Sequence, residues 1–184
     1  MNITEIDIQI LKIFNQPISP VVNEIVVVAI FAVYLFLISL VYYFFRTKQN
    51  SKFIHLFTVS IIGYLMVTAI KYLVAQPRPY VTLPSVINSI ITKPYDPFSF
   101  PSGHAFIAFL ILMFLPKEFP KWSKALSIIY IIFIPIASMY IGVHYPTDVL
   151  AGALLGILVP KIISEKISMR LMSFALQARK SVKI

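Results

Sequence analysis

Two basic side chains in the middle of the sequence have a spacing and surroundings suited to binding phosphate. Lys71 lies near the end of an apolar stretch, and Arg78 follows seven residues later in a proline-rich stretch. Paired cations attract anionic oxygens and spread the charge that develops during phosphoryl transfer. The pair therefore predicts a phosphate-binding site, although Lys71 alone is equally typical of a membrane lysine whose ammonium reaches the interface.

A second polar segment, Pro101-Ser102-Gly103-His104, opens the next apolar stretch. A Ser-Gly pair at the start of a helix offers a hydroxyl, backbone N–H groups and the positive end of the helix dipole, which together form an anion site. His104 would lie one turn from the bound anion. Read in isolation, Ser102 is only a helix N-cap and His104 an interfacial side chain.

The third polar segment contains His144 and, four residues later, Asp148. A carboxylate that binds one imidazole nitrogen leaves the other nitrogen free to act as a nucleophile. The alternative for Asp148 is a carboxylate that merely compensates a helix dipole. Together the three segments supply two cations, a helix N-terminus, two histidines and a carboxylate, which indicates a phosphate cradle with a nucleophile and an acid.

The elements that must position these segments are membrane helices. Hydrophobic residues make up 59% of the chain and charged residues only 12%, and the apolar residues fall in long blocks. A helix needs about 20 apolar residues to cross a hydrocarbon core of about 30 Å. We therefore predict an all-α, polytopic membrane helical bundle of about five to six transmembrane helices. Five spans can be placed, at 21–45, 53–75, 102–116, 123–142 and 147–164.

The whole chain, 1–184, is expected to form a single integral-membrane domain. Residues 1–20 predict an interfacial helix that packs against the bundle, because isoleucines recur there at helical spacing. Residues 76–101 predict a long outer loop, with a short helix at 86–91. Residues 165–184 predict a basic amphipathic tail on the cytoplasmic surface.

The distribution of the basic residues predicts how the bundle is oriented. The formal net charge is +9, and most lysines and arginines lie between spans one and two, between spans three and four, or after span five. Such segments face the cytoplasm in most membrane proteins. The predicted site then faces the outside of the cell membrane or the periplasm. Because membrane topology accounts for the charge, we expect no nucleic-acid partner.

At the three polar segments the sequence resembles the type 2 phosphatidic acid phosphatase family, whose superfamily includes the vanadium haloperoxidases. The family's first motif is a lysine, six residues and Arg-Pro, as in 71–79, and its second is Pro-Ser-Gly-His, as in 101–104. Its third contains a histidine four residues before an aspartate, as in His144 and Asp148. An arginine is expected six residues before that histidine, but Ser138 stands there.

The resemblance implies a lipid phosphatase that needs neither a cofactor nor a metal. His144 would attack phosphorus and form a phosphohistidine, with Asp148 orienting its ring. His104 would protonate the leaving oxygen and then activate the water that releases phosphate. The groups that would bind the phosphoryl oxygens are Lys71, Arg78, Ser102, Gly103 and, in place of the family's arginine, the hydroxyl of Ser138.

Acidic residues on the predicted outer side give no sign of a metal site. Glu5, Asp7, Glu24 and Asp96 are expected to be scattered and without partners, which is not the ligand pattern of magnesium. Lys93, in the long outer loop, is a candidate to replace the missing arginine. Its reach cannot be predicted from sequence.

The favoured substrate is a polyprenyl pyrophosphate, such as undecaprenyl or dolichyl pyrophosphate, because a small outward-facing phosphatase suits the recycling of a glycan carrier lipid. Phosphatidic acid and phosphatidylglycerol phosphate are alternatives. Ser138 also leaves open a non-catalytic protein that binds or transports a lipid phosphate. A vanadate-dependent oxidase, the third class, conflicts with the predicted spans. Gly152 and Gly156 predict close helix packing within the bundle, with an oligomer as the alternative.

Overall fold

The protein is seen in a computed structural model that describes residues 5–88, 90 and 96–181. That part of the chain forms eight helices and no strands, so the predicted all-α fold is confirmed. The helices are α1 (Glu5–Phe14), α2 (Pro20–Arg46), α3 (Asn50–Val74), α4 (Pro79–Thr82), α5 (Gly103–Phe114), α6 (Lys121–Tyr140), α7 (Pro146–Ile162) and α8 (Glu165–Ser181).

The helices differ in whether they can cross a bilayer alone. Among the described residues, α2, α3 and α6 are long and apolar enough, and α7 with α8 makes a fourth candidate bent by 72°. The third predicted span is shorter than expected, because α5 has only 12 residues. Most of α5 is buried among the other helices. Since protein rather than lipid surrounds it, α5 does not need full membrane length.

The apolar surfaces agree with an integral membrane protein. One core cluster joins α2, α3, α5 and α6, with Phe44, Leu56 and Phe106 among its buried members. Along α2, large apolar side chains such as Val28 and Leu35 are instead exposed. An apolar exterior of this kind suits hydrocarbon rather than water.

Two glycines bring α7 unusually close to α5. A Cβ atom at Gly152 would collide with the backbone oxygen of Ser102, and one at Gly156 would collide with that of Phe106. The two glycines therefore pack inside the bundle, as predicted. As a result, the start of α5 and the start of α7 lie side by side. These two helix starts carry the second and third polar segments.

The N-terminal helix predicted within 1–20 is present as α1, and it packs against α6 and α7. Leu11 is buried in that contact, whereas Ile6 and Ile13 are 67% and 71% exposed. The isoleucine face is thus directed outward, as an interfacial helix requires. The opposite face carries Asp7, which is buried at 3% exposure.

The helix predicted at 86–91 is wrong for its described part. Val86 ends a turn, and Ile87 and Asn88 are not helical. The physical reason is that the side chain of Asn15 binds both the backbone N–H and the carbonyl of Asn88, at 2.8 and 2.9 Å, so these groups are not free for helical hydrogen bonds. Residues 89 and 91 lie outside the described part of the chain.

The helix predicted in the basic tail is present as α8. It packs against α3, where Ser168 Oγ lies 2.9 Å from Nδ1 of His55. His55 is buried by this contact and by the ring of Phe114, whose centroid is 5.0 Å away. His55 therefore has a packing role at the end of the bundle opposite the predicted site.

Candidate active site

The structure brings the two predicted phosphate-binding cations together on one carboxylate. Helix α3 ends where Ala75 adopts a left-handed conformation, with φ of 50°, and the chain then turns so that Arg78 is the N-cap residue of α4. Oδ2 of Asp96 lies 2.9 Å from Nζ of Lys71 and 3.7 Å from Nη2 of Arg78. The expectation that Asp96 has no partner is wrong, because the chain folds residues 96–99 back against the end of α3.

Arg78 also ties the first polar segment to the third. Its Nε donates to the backbone oxygen of Asp96 at 2.8 Å, and its Nη1 donates to that of Val143 at 3.0 Å. Val143 immediately precedes His144, so the guanidinium is fixed beside the predicted nucleophile. Burial alone would raise the pKa of Asp96, but hydrogen bonds from Lys71 and the Phe98 amide and the two cationic charges hold that pKa below its usual range. The carboxylate is therefore ionised at neutral pH.

His144 and Asp148 lie close together, as predicted, but the predicted hydrogen bond between them is absent, because Nδ1 of His144 has no hydrogen-bond partner among the described residues. Nδ1 of His144 is 3.4 Å from Oδ2 of Asp148, and both side chains are buried. Asp148 is itself held at both oxygens: Oδ2 accepts from the amide of Tyr145 at 2.7 Å, and Oδ1 accepts from Nε2 of Gln76 at 3.1 Å. The carboxylate is thereby fixed facing the imidazole ring.

The surroundings of His144 favour the neutral imidazole. Burial lowers its pKa well below the usual 6.5, and the charges of Arg78 and Lys71 lower it further. The negative charge of Asp96 acts in the opposite direction but has a smaller effect on the pKa. A neutral ring has the free lone pair that a nucleophile requires.

The second polar segment forms the first turn of α5, as predicted. Oγ of Ser102 caps the helix by accepting from the amide of Ala105 at 3.4 Å. The Ser102 amide donates to the backbone oxygen of Asp148 at 3.0 Å, which joins α5 to α7. The amides of Gly103 and His104 precede the first intrahelical bond and have no acceptor within the helix. They are the backbone groups best placed to bind an anion.

His104 lies between the polar site and two aromatic rings. It is close enough to His144, Arg78 and Lys71 to interact electrostatically with all three. Its ring contacts Phe31 and Tyr34 edge-on, at centroid distances of 5.6 and 5.5 Å. Its Nε2 is buried without a hydrogen-bond partner among the described residues. A buried imidazole nitrogen with no protein partner suits a group that exchanges a proton with a ligand.

Ser138 occupies its predicted neighbourhood, but its hydroxyl is directed elsewhere. It is fully buried, and Oγ donates its proton to the backbone oxygen of Pro135 at 2.7 Å on the same helix. Its own carbonyl accepts from the amide of Val143 at 3.3 Å. The prediction that the hydroxyl serves as a phosphate donor therefore lacks support in this conformation. Lys93, the proposed substitute cation, lies outside the described residues.

Sequence reasoning missed several residues that hold the site together. Gln76 and Ser99 give no pattern of their own, although Gln76 lies inside the first motif. Asp7 was expected to lack a partner, which is wrong: its carboxylate accepts from the amide and the hydroxyl of Thr147, at 3.1 and 3.3 Å. This contact joins residues 140 positions apart, so no local signal predicts it.

Two further features describe what the site could hold. Within the described ranges, with their gaps at 89 and 91–95, no three His, Asp or Glu side chains converge as metal ligands would.

An apolar cavity of about 440 Å³ lies between α2, α3 and α5, with Leu37, Tyr64, Phe106 and Ile107 in its lining. Two of its lining residues, Phe106 and Ile107, follow His104 by two and three positions in α5.

Comparisons with known proteins give a consistent result. The PAP2 superfamily matches residues 52–171. An undecaprenyl-diphosphatase of Sulfolobus acidocaldarius is 36% identical over 121 residues, which are 64% of this chain and 55% of that protein. The bacitracin transport permease protein BcrC of Bacillus licheniformis is 31% identical over 166 residues, covering 86% of this chain and 79% of that protein.

The fold is also similar to a solved structure. The crystal structure of Aquifex aeolicus LpxE superimposes with a TM-score of 0.73 and 25% sequence identity. The match covers 91% of this chain and 96% of that one. The chain thus spans nearly the whole of a solved relative, but only about half the length of the curated diphosphatase.

Proposed function

The chain belongs to the PAP2 superfamily, and from this premise we propose that it is a membrane phosphatase that removes phosphate from a lipid. The match to more than half of the chain confirms the resemblance drawn from the three motifs. The observation that carries the proposal is the contact between His144 and Asp148 beside the cations Lys71 and Arg78. Binding alone needs cations, whereas a buried neutral histidine with an orienting carboxylate suits nucleophilic attack.

The positions of these groups support the following mechanism. Nδ1 of His144 faces Asp148, so Nε2 is the nitrogen that attacks phosphorus. A bond forms between Nε2 and phosphorus while the bond to the leaving oxygen breaks, and His104 gives that oxygen a proton. His104 then takes a proton from water as the water oxygen attacks the phosphohistidine and releases inorganic phosphate. Asp148 stabilises the positive charge on the His144 ring during both steps.

The phosphoryl oxygens would be held by charges and by backbone amides. Lys71 and Arg78 supply the cations, and the first-turn amides of Gly103 and His104 point along the positive end of the α5 dipole. Ser102 contributes by capping that helix and by holding it against Asp148. Ser138 leaves the site with one cation fewer than the family pattern. A missing transition-state donor commonly costs about 10²–10³ in rate.

Among lipids we favour a polyprenyl pyrophosphate, such as undecaprenyl or dolichyl pyrophosphate. The 36% identical relative from Sulfolobus acidocaldarius is named for that class of reaction. The apolar cavity beside α5 suits a hydrocarbon chain whose head group lies at His104. Phosphatidic acid and phosphatidylglycerol phosphate are the alternative substrates.

We place the site at the outer face of the cell membrane or in the periplasm, with the basic tail in the cytoplasm. The support is the segregation of lysines and arginines into segments at the other end of the helices. Asp7, Gln76 and Thr147 lie at the same end as the site, and α8 lies at the opposite end, against the start of α3. Outward placement suits a lipid head group that is dephosphorylated after export of its cargo.

The test is phosphate release by the purified protein in detergent with excess chelator. We expect hydrolysis of undecaprenyl pyrophosphate to exceed that of phosphatidic acid and phosphatidylglycerol phosphate, and to persist without added metal. His144→Ala should abolish it. Activity that disappears on chelation, or that survives His144→Ala, would refute the proposed mechanism.

A second candidate, a protein that binds or moves a lipid phosphate without hydrolysing it, is favoured by one relative. The 31% identical protein from Bacillus licheniformis is named a transport permease, and Ser138 weakens the phosphate site. Such a protein would bind labelled lipid pyrophosphate and release no phosphate, and His144→Ala would leave binding unchanged. Turnover of the lipid by the wild-type protein excludes this candidate.

A further inference from the structure

The carboxylate of Asp96 lies where a phosphate oxygen would be expected to bind. It contacts Lys71 at 2.9 Å and faces Arg78 at 3.7 Å. A carboxylate and a phosphate present the same kind of anionic oxygen to an ammonium or a guanidinium. Asp96 therefore occupies the position between Lys71 and Arg78 where a phosphate ligand would bind.

Lys71 has no donor to spare while Asp96 is bound. Its Nζ also lies 2.8 Å from the backbone oxygen of Phe98 and 3.5 Å from that of Ser99. A lysine ammonium carries three hydrogens, and these three acceptors use all of them. A phosphate oxygen can bind Lys71 only if one acceptor leaves.

The acceptor that can leave is the carboxylate. The Asp96 side chain is 34% exposed, whereas the side chains of Lys71 and Arg78 are 8% and 6% exposed. The backbone oxygens of Phe98 and Ser99 cannot move without the chain, but the carboxylate can turn outward by side-chain rotation, which also breaks the 3.0 Å hydrogen bond that Oδ1 accepts from the Phe98 amide. Its backbone oxygen would stay bound to Nε of Arg78, at 2.8 Å, during that movement.

The exchange would require an incoming anion. Two buried cations left without a counter-charge are strongly disfavoured, so departure of Asp96 into water with nothing in its place is costly. A phosphate that arrives as the carboxylate leaves keeps the charge balanced. The two anions would thus compete directly for one position.

We propose that Asp96 is an intramolecular competitor of phosphate, bound by Lys71 and Arg78 in the resting protein and displaced by the phosphate of the substrate. Its return would expel inorganic phosphate after hydrolysis and limit product inhibition. The role in turnover rests on the proposed function, whereas the competition itself is a property of the anion site.

The experiment measures the affinity of the purified full-length protein for inorganic phosphate and for orthovanadate by calorimetry in detergent. Asp96→Asn removes the competing charge and should tighten both affinities about tenfold or more, since charge-assisted hydrogen bonds are among the stronger ones. Asp96→Glu keeps a carboxylate and should stay near the wild type. Glu24→Gln, which removes an exposed carboxylate at the start of α2, is the matched control and should change neither affinity.

Equal or weaker anion binding by folded Asp96→Asn would overturn the proposal, because it would mean that Asp96 positions the cations instead of blocking them. Failure of both forms to bind either anion would overturn it as well. The affinities do not depend on turnover, so a protein that hydrolyses no lipid but binds phosphate more tightly as Asp96→Asn would refute the proposed function alone.

A structure of the wild-type protein with bound vanadate supplies a test that needs no variant. We expect vanadate to contact Lys71 and Arg78, and the Asp96 carboxylate to lie beyond hydrogen-bond distance from Nζ of Lys71. A carboxylate that keeps its contact with Lys71 while vanadate is bound would contradict the proposal.

Discussion

Gln76 donates a hydrogen bond from Nε2 to Oδ1 of Asp148 across 3.1 Å, and this contact joins the first motif to the carboxylate of the third. The other oxygen of Asp148 accepts from the amide of Tyr145 at 2.7 Å. With both oxygens held, the carboxylate keeps one orientation toward His144. The orientation of the proposed nucleophile, His144, thus depends on Gln76, which lies between Lys71 and Arg78 in the sequence.

Gln76→Ala is expected to lower kcat while leaving KM nearly unchanged. The change removes a donor from Asp148 and frees the carboxylate to turn away from His144, and misplacement of a catalytic group by about 1 Å can cost about 10²-fold in rate. We therefore expect a fall in kcat between about 10- and 100-fold.

Steady-state kinetics on the lipid substrate separates kcat from KM. Gln16→Ala is the matched control, because the exposed side chain of Gln16 donates from Nε2 to the backbone oxygen of Lys12 in α1, 2.9 Å away, at a distance from the site. A Gln76→Ala variant that keeps wild-type kcat, or that loses affinity instead, would show that Gln76 does not position Asp148.

Ser138→Ala is expected to change turnover by less than about threefold, because its hydroxyl is already committed to Pro135 and a single neutral hydrogen bond contributes little. Ser138→Arg restores the family's cation and should raise kcat if the site lacks a donor. Phosphate release by the two folded variants is the measurement. A fall in Ser138→Arg would indicate that another group already occupies that position, and a large loss in Ser138→Ala would indicate that the hydroxyl does reach the substrate.

Asp7→Ala should destabilise the protein by about 0.5–2 kcal/mol, the usual cost of losing a helix N-cap. The carboxylate accepts from the amide of Thr147 and so caps α7 from a different helix. Asp7→Asn, whose amide oxygen can still accept that bond, should lose less stability. Unfolding in detergent measures the difference, with exposed Glu5→Gln as the control. Equal stability of Asp7→Ala and the wild type would mean that α7 needs no such cap.

The acid limb of kcat/KM should lie below pH 6.5, because burial and the charges of Arg78 and Lys71 lower the pKa of His144 from that value. Protonation removes the nucleophile, so activity falls as pH drops through the lowered pKa. Arg78→Met removes a positive neighbour and should move the limb to higher pH. A limb at or above pH 6.5 in the wild type would contradict a neutral, buried His144.

The lowered pKa of His144 also makes the stability of the folded protein depend on pH. In the unfolded chain His144 takes up a proton as pH falls through about 6.5, whereas in the folded chain it stays neutral to a lower pH. The unfolded state then binds more protons, so the folded state loses stability as pH drops below that value. His144→Asn should flatten this dependence in thermal unfolding measured across pH.

Of the five predicted spans, three are long apolar helices in the described part of the chain, and these could be predicted because they depend on local patterns. Long apolar blocks predict α2, α3 and α6, and Ser102 predicts the cap of α5 through its place before a glycine. His144 and Asp148 meet because they are four residues apart, with His144 just before α7 and Asp148 in its first turn. In each case the residues that predict the feature are close to one another in the sequence.

Contacts between distant residues could not be predicted in the same way. Asp96 and Asp7 looked unpartnered, yet one binds Lys71 and the other caps α7, because the fold brings together segments with no shared pattern. The third predicted span, 102–116, is already short for a bilayer, but only the structure shows that protein surrounds α5. At Ser138 the sequence identified the missing cation, but only the structure shows where the hydroxyl points.

The central claim is that His144 carries the phosphoryl group during turnover, and trapping that intermediate tests it most directly. The protein would be mixed with undecaprenyl pyrophosphate labelled at its terminal phosphate and quenched within one turnover. We predict acid-labile, base-stable label on the wild-type protein and none on His144→Asn, which should also release no phosphate. Equal labelling of His144→Asn, or phosphate release by the wild type without labelled protein at any time, would contradict the claim.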